Sequence, residues 1–339
     1  MNAAPSDDHE VTSPGTLAPG RAPGRAARRR AARRSTRKLA VLALAGAVVA
    51  LCAALFGGQL AARGTGELRV PAAGTTTLLR TVVFAALAVQ LGELAGARLA
   101  GGGARPRGWS APAALAGAAG AAGQIAVLAQ VGDIDLATAY ATGDGRLLLL
   151  MANGFFAAAG CVALRRPALA LLPLALVIGA EALRAHPEQY TPEIGTALTL
   201  LHLPAASLWA GGLLYTLRLM WLRRADRADA LAVLGRYARM AAWTLAVLAV
   251  TGTASTLRKL PSDTILTSAY GRVLIVKGLL VAVVCALALT ARRRLLRGRL
   301  DAWTPARAEL AVLAVIVVVS AVLTVVPDPH WVSVRLGIR

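Results

Sequence analysis

Residues 308–326 read AELAVLAVIVVVSAVLTVV, and residues 271–291 read GRVLIVKGLLVAVVCALALTA. Each stretch is long and apolar enough to cross a bilayer as an α-helix, which needs about 20 such residues. Glycine, proline and charge clusters separate them from further stretches of the same kind. The seven preceding stretches are 39–62, 75–97, 110–131, 146–164, 168–184, 194–217 and 238–257. The sequence therefore predicts an all-α, polytopic transmembrane helix bundle of about nine spans.

The composition agrees with a membrane protein. Hydrophobic residues make up 57% of the chain, and the mean hydropathy is +0.60. Both values exceed what a soluble domain of this length needs for its core. Aromatic residues are only 4%, so the apolar mass comes from alanine, leucine, valine and glycine. Small residues such as alanine and glycine favour close helix packing in lipid. The sequence lacks the alternation of polar and apolar residues that is typical of a transmembrane β-barrel.

The net charge of +20 would suggest nucleic acid in a soluble protein, but here the basic residues lie mostly in short loops. With the N-terminus inside, the inside segments hold 26 of the 37 lysines and arginines, whereas the outside segments together with the outer ends of the spans hold nine. This bias predicts an N-in, C-out topology. We therefore expect the lipid bilayer, and no nucleic acid, as a partner. The inside segments are 1–38, 97–109, 164–167, 218–239 and 292–307.

Residues 1–38 lack apolar periodicity and carry a dense basic block, which predicts a disordered cytoplasmic tail. The string ARRSTRKLAVLALAG also resembles an export signal. However, the apolar run at 39–62 is longer than the 7–15 residues typical of a signal peptide. We therefore interpret this run as an uncleaved first span.

His202 is the most informative polar residue within a span. It lies eight residues into its span, about 12 Å below the outer surface, where an ionisable side chain indicates function. Pro204 follows and frees a backbone carbonyl, Trp209 shares the helical face, and Gly211 and Gly212 permit close helix contact. The alternative is a histidine hydrogen-bonded to a neighbouring helix, with the tryptophan and glycines serving packing.

Four other side chains are candidate metal ligands. Met151 and Cys52 fall at a depth similar to that of His202, and the three together would suit a soft ion such as Cu(I). Either is otherwise an ordinary packing residue. His186 and His330 lie at outer helix ends, where each is either a receiver of an external metal ion or a solvated loop residue.

The remaining charges within spans are candidates for a pathway or for structural pairing, and they are Arg80, Glu93, Glu181, Lys277 and Glu309. Lys277 lies about two turns into its span, from where it either snorkels outward or lines a pathway. Glu309 lies near the cytoplasmic end, where Arg307 or an arginine of another helix would pair with it. We expect Glu93 and Arg80 to form structural ion pairs, whose partners the sequence does not identify.

Several chemistries lack their motifs. The chain contains no HExxH, GxSxG, Walker or Rossmann pattern and no CxxC spacing, so we expect no enzymatic activity. Bis-histidine haem ligation needs paired histidines within the membrane, and only His202 qualifies, although methionine or cysteine ligation stays open. We therefore expect no tightly bound cofactor.

Four stretches of the C-terminal half resemble the copper resistance D family of bacterial membrane proteins. They agree with that family in order and spacing across roughly 195–329. The most specific piece is Tyr-Gly-Arg followed by a lysine within the span, at 270–272 and 277. The stretches are LHLPAASLWAGGLLYTLRL from 201, RYARMAAWTLAVLAVTGTAST from 236, LTSAYGRVLIVKGLLVAVVCALALTARRRL from 266 and ELAVLAVIVVVSAVLTVVPDP from 309.

The resemblance implies a multi-pass protein of the bacterial inner membrane that transports copper or serves copper homeostasis, accepting the ion from the outer side. Copper is then the substrate, and His202 becomes a better candidate ligand. Because the chain has no periplasmic copper-binding domain of the kind found in many relatives, a separate periplasmic or extracellular copper-binding protein is an expected partner. The predicted regions are a five-helix part at 39–190, a copper resistance D-like domain at 191–329 and an external tail at 330–339.

Two other functions stay open at this point. One is a membrane redox or cytochrome-assembly component, which a haem spectrum would identify. The other is a structural scaffold, in which the polar groups only hold helices together.

The topology is directly testable with reporter fusions. A reporter placed after Arg339 and one placed within 223–230 should lie on opposite sides of the membrane, because the bias in basic residues puts the two sites on different sides. Detection of both reporters on the same side would contradict the nine-span prediction.

Overall fold

The computed structural model describes residues 46–185, 192–260, 264–297 and 303–327. The predicted tail at 1–38, His186 and His330 lie outside these ranges. Within them every regular element is a helix, and residues from Ala47 onward form one compact unit.

Eight helices are long and apolar enough to cross a membrane, and a ninth, α1 (Gly46–Ala61), is a shorter apolar helix. The predicted all-α transmembrane bundle is therefore confirmed, with eight helices of spanning length and one shorter apolar helix among the described residues. In chain order the helices after α1 are α2 (Ala73–Leu99), α3 (Ser110–Gly132), α4 (Leu136–Ala141), α5 (Gly143–Ala163), α6 (Leu171–Arg184), α7 (Pro192–Leu222), α8 (Arg227–Lys259), α9 (Ala269–Leu296) and α10 (Trp303–Leu323).

Two features differ from the sequence prediction. The short helix α4 occupies the loop between the third and fourth spans, where Asp135 caps it by accepting a hydrogen bond from the Thr138 amide at 2.7 Å. An aspartate at this position satisfies an otherwise unpaired amide of the first turn. In addition, α7 and α8 extend beyond the predicted spans and approach each other around 222–227. Hydropathy alone does not detect such polar helix extensions.

The two sides of the bundle are each held by contacts between loops that the topology places together. On the predicted inner side, Arg223 donates to the carbonyls of Ala100, Gly102 and Ala104 at 2.7–3.2 Å. Arg236 donates to the Leu99 carbonyl at 2.7 Å. These carbonyls follow the last turn of α2, so the arginines also oppose the negative end of its dipole.

Glu93 has an ion-pair partner in the structure, as the sequence predicted. Its carboxylate contacts Arg218 of α7 at 2.8 Å. It also accepts hydrogen bonds from the amides of Trp109 and Ser110 at 2.7 and 3.1 Å. Glu93 therefore caps the start of α3 while joining α2 to α7.

On the predicted outer side, α1 is joined to α9. Glu67 accepts from the Ala269 amide at 3.1 Å, at the start of α9. Arg272 donates to the carbonyls of Ala61 and Arg63 at 3.2 and 2.7 Å, at the end of α1. Loops predicted on the same side therefore meet, as alternating spans require.

The closest helix contact joins α2 to α7. A Cβ placed on Gly211 would overlap the carbonyl of Ala88, and one placed on Gly92 would overlap the backbone of Gly211. Gly212 lies on the adjoining side of α7, against Tyr237 and Met240 of α8. Glycine is needed at 92 and 211 because a side chain there would meet backbone atoms and push the helices apart.

We predict that Gly211→Ala destabilises the protein by about 1–3 kcal/mol, the typical result of forcing extra atoms into a packed contact. The control is Gly179→Ala in α6, since no atom lies within 4 Å of the Cβ it would add. Thermal unfolding in detergent should show a lower midpoint for Gly211→Ala alone. Equal unfolding midpoints for the two variants would show that α2 and α7 can move apart without loss of stability.

Candidate functional site

A cavity of about 980 Å³ lies between α2, α6, α7, α8, α9 and α10. Its lining residues belong to the parts of these helices that the topology places in the outer half of the bilayer. Most of the wall is apolar, so the few polar groups stand out. The ionisable and aromatic lining residues are Arg80, Phe84, Glu181, Arg184, His202, Trp209, Arg258, Lys259, Tyr270 and Lys277.

His202 lines this cavity and is oriented by α8. Its Nδ1 lies 2.8 Å from the Thr251 hydroxyl oxygen. That hydroxyl donates its proton to the Val247 carbonyl at 2.7 Å. A hydroxyl has one proton, so while Thr251 donates to Val247 it can only accept from Nδ1–H of His202. The neutral imidazole then carries its lone pair on Nε2, which makes no hydrogen bond to the described residues.

Trp209 lies two turns further along α7 at the inner end of the cavity. Its indole Nε1 donates to Glu309 Oε1 of α10 at 3.3 Å, and its carbonyl accepts from the Tyr237 hydroxyl at 3.0 Å. The side chains of Trp209 and Glu309 are almost fully buried. Hydrogen bonds of this kind are needed where polar groups leave water.

Arg80, Glu181 and Arg184 form a buried charge network on the opposite wall. Arg184 Nη1 lies 3.0 Å from one carboxylate oxygen of Glu181, and Arg80 Nη2 lies 3.9 Å from the other. Arg80 also donates to the Thr324 carbonyl at 3.0 Å, and Arg184 to Gln124 Oε1 at 3.3 Å. The sequence predicted a structural ion pair for Arg80, and the structure supplies Glu181 as its partner.

Of the Tyr-Gly-Arg motif and the lysine that follows it, two residues line the cavity and the other two pack helices together. A Cβ on Gly271 would overlap the carbonyl of Ile265, and Arg272 binds the end of α1, so both act in packing. Tyr270 and Lys277 instead line the cavity. Lys277 lies eight residues after the start of α9, about 12 Å along the helix axis.

The other sequence candidates lie elsewhere. Met151 is fully buried in an apolar cluster with Leu148 and Phe155, and Cys52 is exposed on α1. Neither lines the cavity, so the structure does not bring these two sulfur atoms to His202. Pro204 lies within the continuous helix α7, where its missing N–H leaves the Leu200 carbonyl without its helical donor.

Sequence reasoning did not identify Thr251, Glu181 or Arg184 as members of this site. A Thr-Gly pair at 251–252 was visible as part of the family resemblance, and it was the one available signal for Thr251. Glu181 was visible as a charge within a span, but its proximity to Arg80 depends on how α2 and α6 pack.

The cavity is poor in protein ligands for a metal. Among the described residues, no group of three or more His, Cys, Asp and Glu side chains is placed to hold an ion. His202 is the one imidazole in the described lining, and no thiolate or thioether accompanies it. A copper ion here would therefore take most of its ligands from hydroxyls, water or a bound molecule.

Comparison with protein families identifies the C-terminal part of the chain. Residues 231–326 match the family described as Copper resistance protein D. This confirms the resemblance over α8, α9 and α10, whereas His202 on α7 lies before the matched segment. No curated protein matches the chain, and no solved structure matches it.

Proposed function

We propose that this multi-pass membrane protein, a member of the Copper resistance protein D family by its residues 231–326, accepts copper from the outer side of the bacterial inner membrane. Copper enters the cavity, and His202 is its ligand from the protein. The observation that carries the proposal is the 2.8 Å contact between His202 Nδ1 and the Thr251 hydroxyl, because donation of the hydroxyl proton to Val247 assigns the tautomer in which Nε2 is unprotonated.

The chemistry of the imidazole supports this role. A neutral imidazole nitrogen is a good ligand for copper in both common oxidation states. Metal-bound histidines usually donate their other N–H to a fixed acceptor, which sets the tautomer and the ring orientation. Thr251 is such an acceptor, and we assign it as a positioning residue that acts through His202.

The position of the cavity supports uptake from outside. Its lining includes the last turns of α6 and α8, the second turn of α7 and the first turn of α9. The predicted N-in topology places all of these at the outer surface. A separate periplasmic or extracellular copper-binding protein would deliver the ion to this opening.

We predict that His202→Ala reduces copper uptake by proteoliposomes to the level of protein-free vesicles while the amount of inserted protein stays unchanged. His202→Gln should fail similarly, because the amide keeps hydrogen bonding but binds copper poorly. Retention of wild-type flux in both variants would remove His202 from the pathway. Activity restored by glutamine, together with loss of inserted protein for alanine, would show that the residue is structural.

We predict that Thr251→Val weakens copper binding by about 10-fold or more, the usual loss when a hydrogen-bond partner of a ligating histidine is removed. Thr251→Ser keeps the hydroxyl and should bind copper like the wild type. Copper titration of the purified protein, followed through the spectroscopic signature of the imidazole-bound ion, checks both variants. A valine variant with unchanged affinity and spectrum would show that Thr251 does not orient His202.

A further inference from the structure

We propose that the cavity binds an organic anion through its carboxylate or phosphate oxygens, and that copper is accepted beside His202 next to this anion. The proposal rests on the proposed function for its copper step, whereas the anion site stands on the charges, the size and the hydrogen bonding of the cavity.

The first argument is charge. Beside Arg258 and Lys259, which interact with other groups, three basic side chains and one acidic side chain line the described part of the cavity. In the buried network, the carboxylate of Glu181 faces the two guanidinium groups of Arg80 and Arg184, and Asp144 is a further acidic group close enough to act on Arg184. Lys277 adds a positive charge on the facing helix α9, and Arg258 and Lys259 lie on α8 toward the outer end.

Lys277 gives the strongest single indication. An ammonium group within a span is costly unless a partner or water reaches it. Its Nζ makes no hydrogen bond and no ion pair with the described residues, although it faces the same cavity as His202. An anionic oxygen in the cavity would supply that partner.

The second argument is unsatisfied hydrogen bonding. The Nε groups of Arg80 and Arg184 are both buried without a hydrogen-bond partner, and Arg80 is only 7% exposed. A buried donor left without an acceptor is destabilising. Oxygens of a bound carboxylate or phosphate are the acceptors that arginine binds best.

The third argument is size. A volume of about 980 Å³ is at the upper end of the range for small-molecule sites and far exceeds the space of one metal ion. A bare copper cation would also be repelled by the excess positive charge. An organic anion reverses this repulsion, fills part of the volume and supplies the oxygen ligands that the wall lacks. Its source is either a soluble carboxylate chelator or the phosphate group of an anionic lipid.

Citrate binding without copper tests the anion site independently of copper transport. Calorimetric titration of the purified full-length protein in phosphatidylcholine nanodiscs should show citrate binding. Lys277→Met should weaken the affinity for citrate at least about 10-fold, whereas Lys277→Arg should keep the wild-type affinity. The control is Arg293→Met, which removes an exposed charge on the same helix and should change the affinity by less than about twofold. His202→Ala should retain citrate binding while losing copper, which separates failure of the two proposals.

A parallel arm identifies a lipid source. Native mass spectrometry of protein from phosphatidylglycerol nanodiscs should find a retained phosphatidylglycerol in the wild type and in Lys277→Arg but not in Lys277→Met, if the headgroup is the anion. Binding of either probe with this dependence on Lys277 supports the proposal. If neither probe binds, or if both bind equally well to Lys277→Met, the proposal is wrong.

Discussion

The close contact of α2 with α7 is the constraint on which the rest of the structure depends. Gly92 and Gly211 bring the two backbones together, and this contact joins the first five spans to the last four. The cavity begins directly outward of it, since Ala88 and Ala210 belong to its lining. Both helices run in the same direction, so one close contact also fixes Arg80 and His202 on walls of the same chamber.

The two ends of the bundle treat charge differently. At the inner end, the Glu93 carboxylate forms an ion pair with an arginine and accepts hydrogen bonds from two backbone amides and a hydroxyl. All of these contacts hold helices together. In the outer half, Arg80 meets Glu181 only at 3.9 Å, and Lys277 makes no ion pair with the described residues. Unmatched charge is costly within a membrane, and this cost is the physical basis on which we propose a ligand in the cavity.

The sequence predicted the number and position of the spans, because these depend on length and hydropathy. It did not determine which side chains face one another, because that depends on the rotation of each helix about its axis. The spans follow from long apolar runs, and the described part of each run contains a helix. Met151, Cys52 and His202 were grouped by depth alone, but depth does not set the direction in which a residue faces. In the packed bundle the Met151 side chain points into an apolar cluster, whereas Cys52 is exposed on α1. Thr251 contacts His202 because α8 lies against α7.

The cavity is lined by residues from both sides of the boundary between the family-matched segment and the helices before it. The matched segment supplies Thr251 and Lys277, whereas His202, Arg80 and Glu181 come from helices before it. Neither set encloses the cavity alone, and the residues from Ala47 onward form one compact unit. The helices before the matched segment therefore complete the chamber rather than stand beside it. Their side chains supply its imidazole and its buried charge network, so they decide which ligand the matched helices meet.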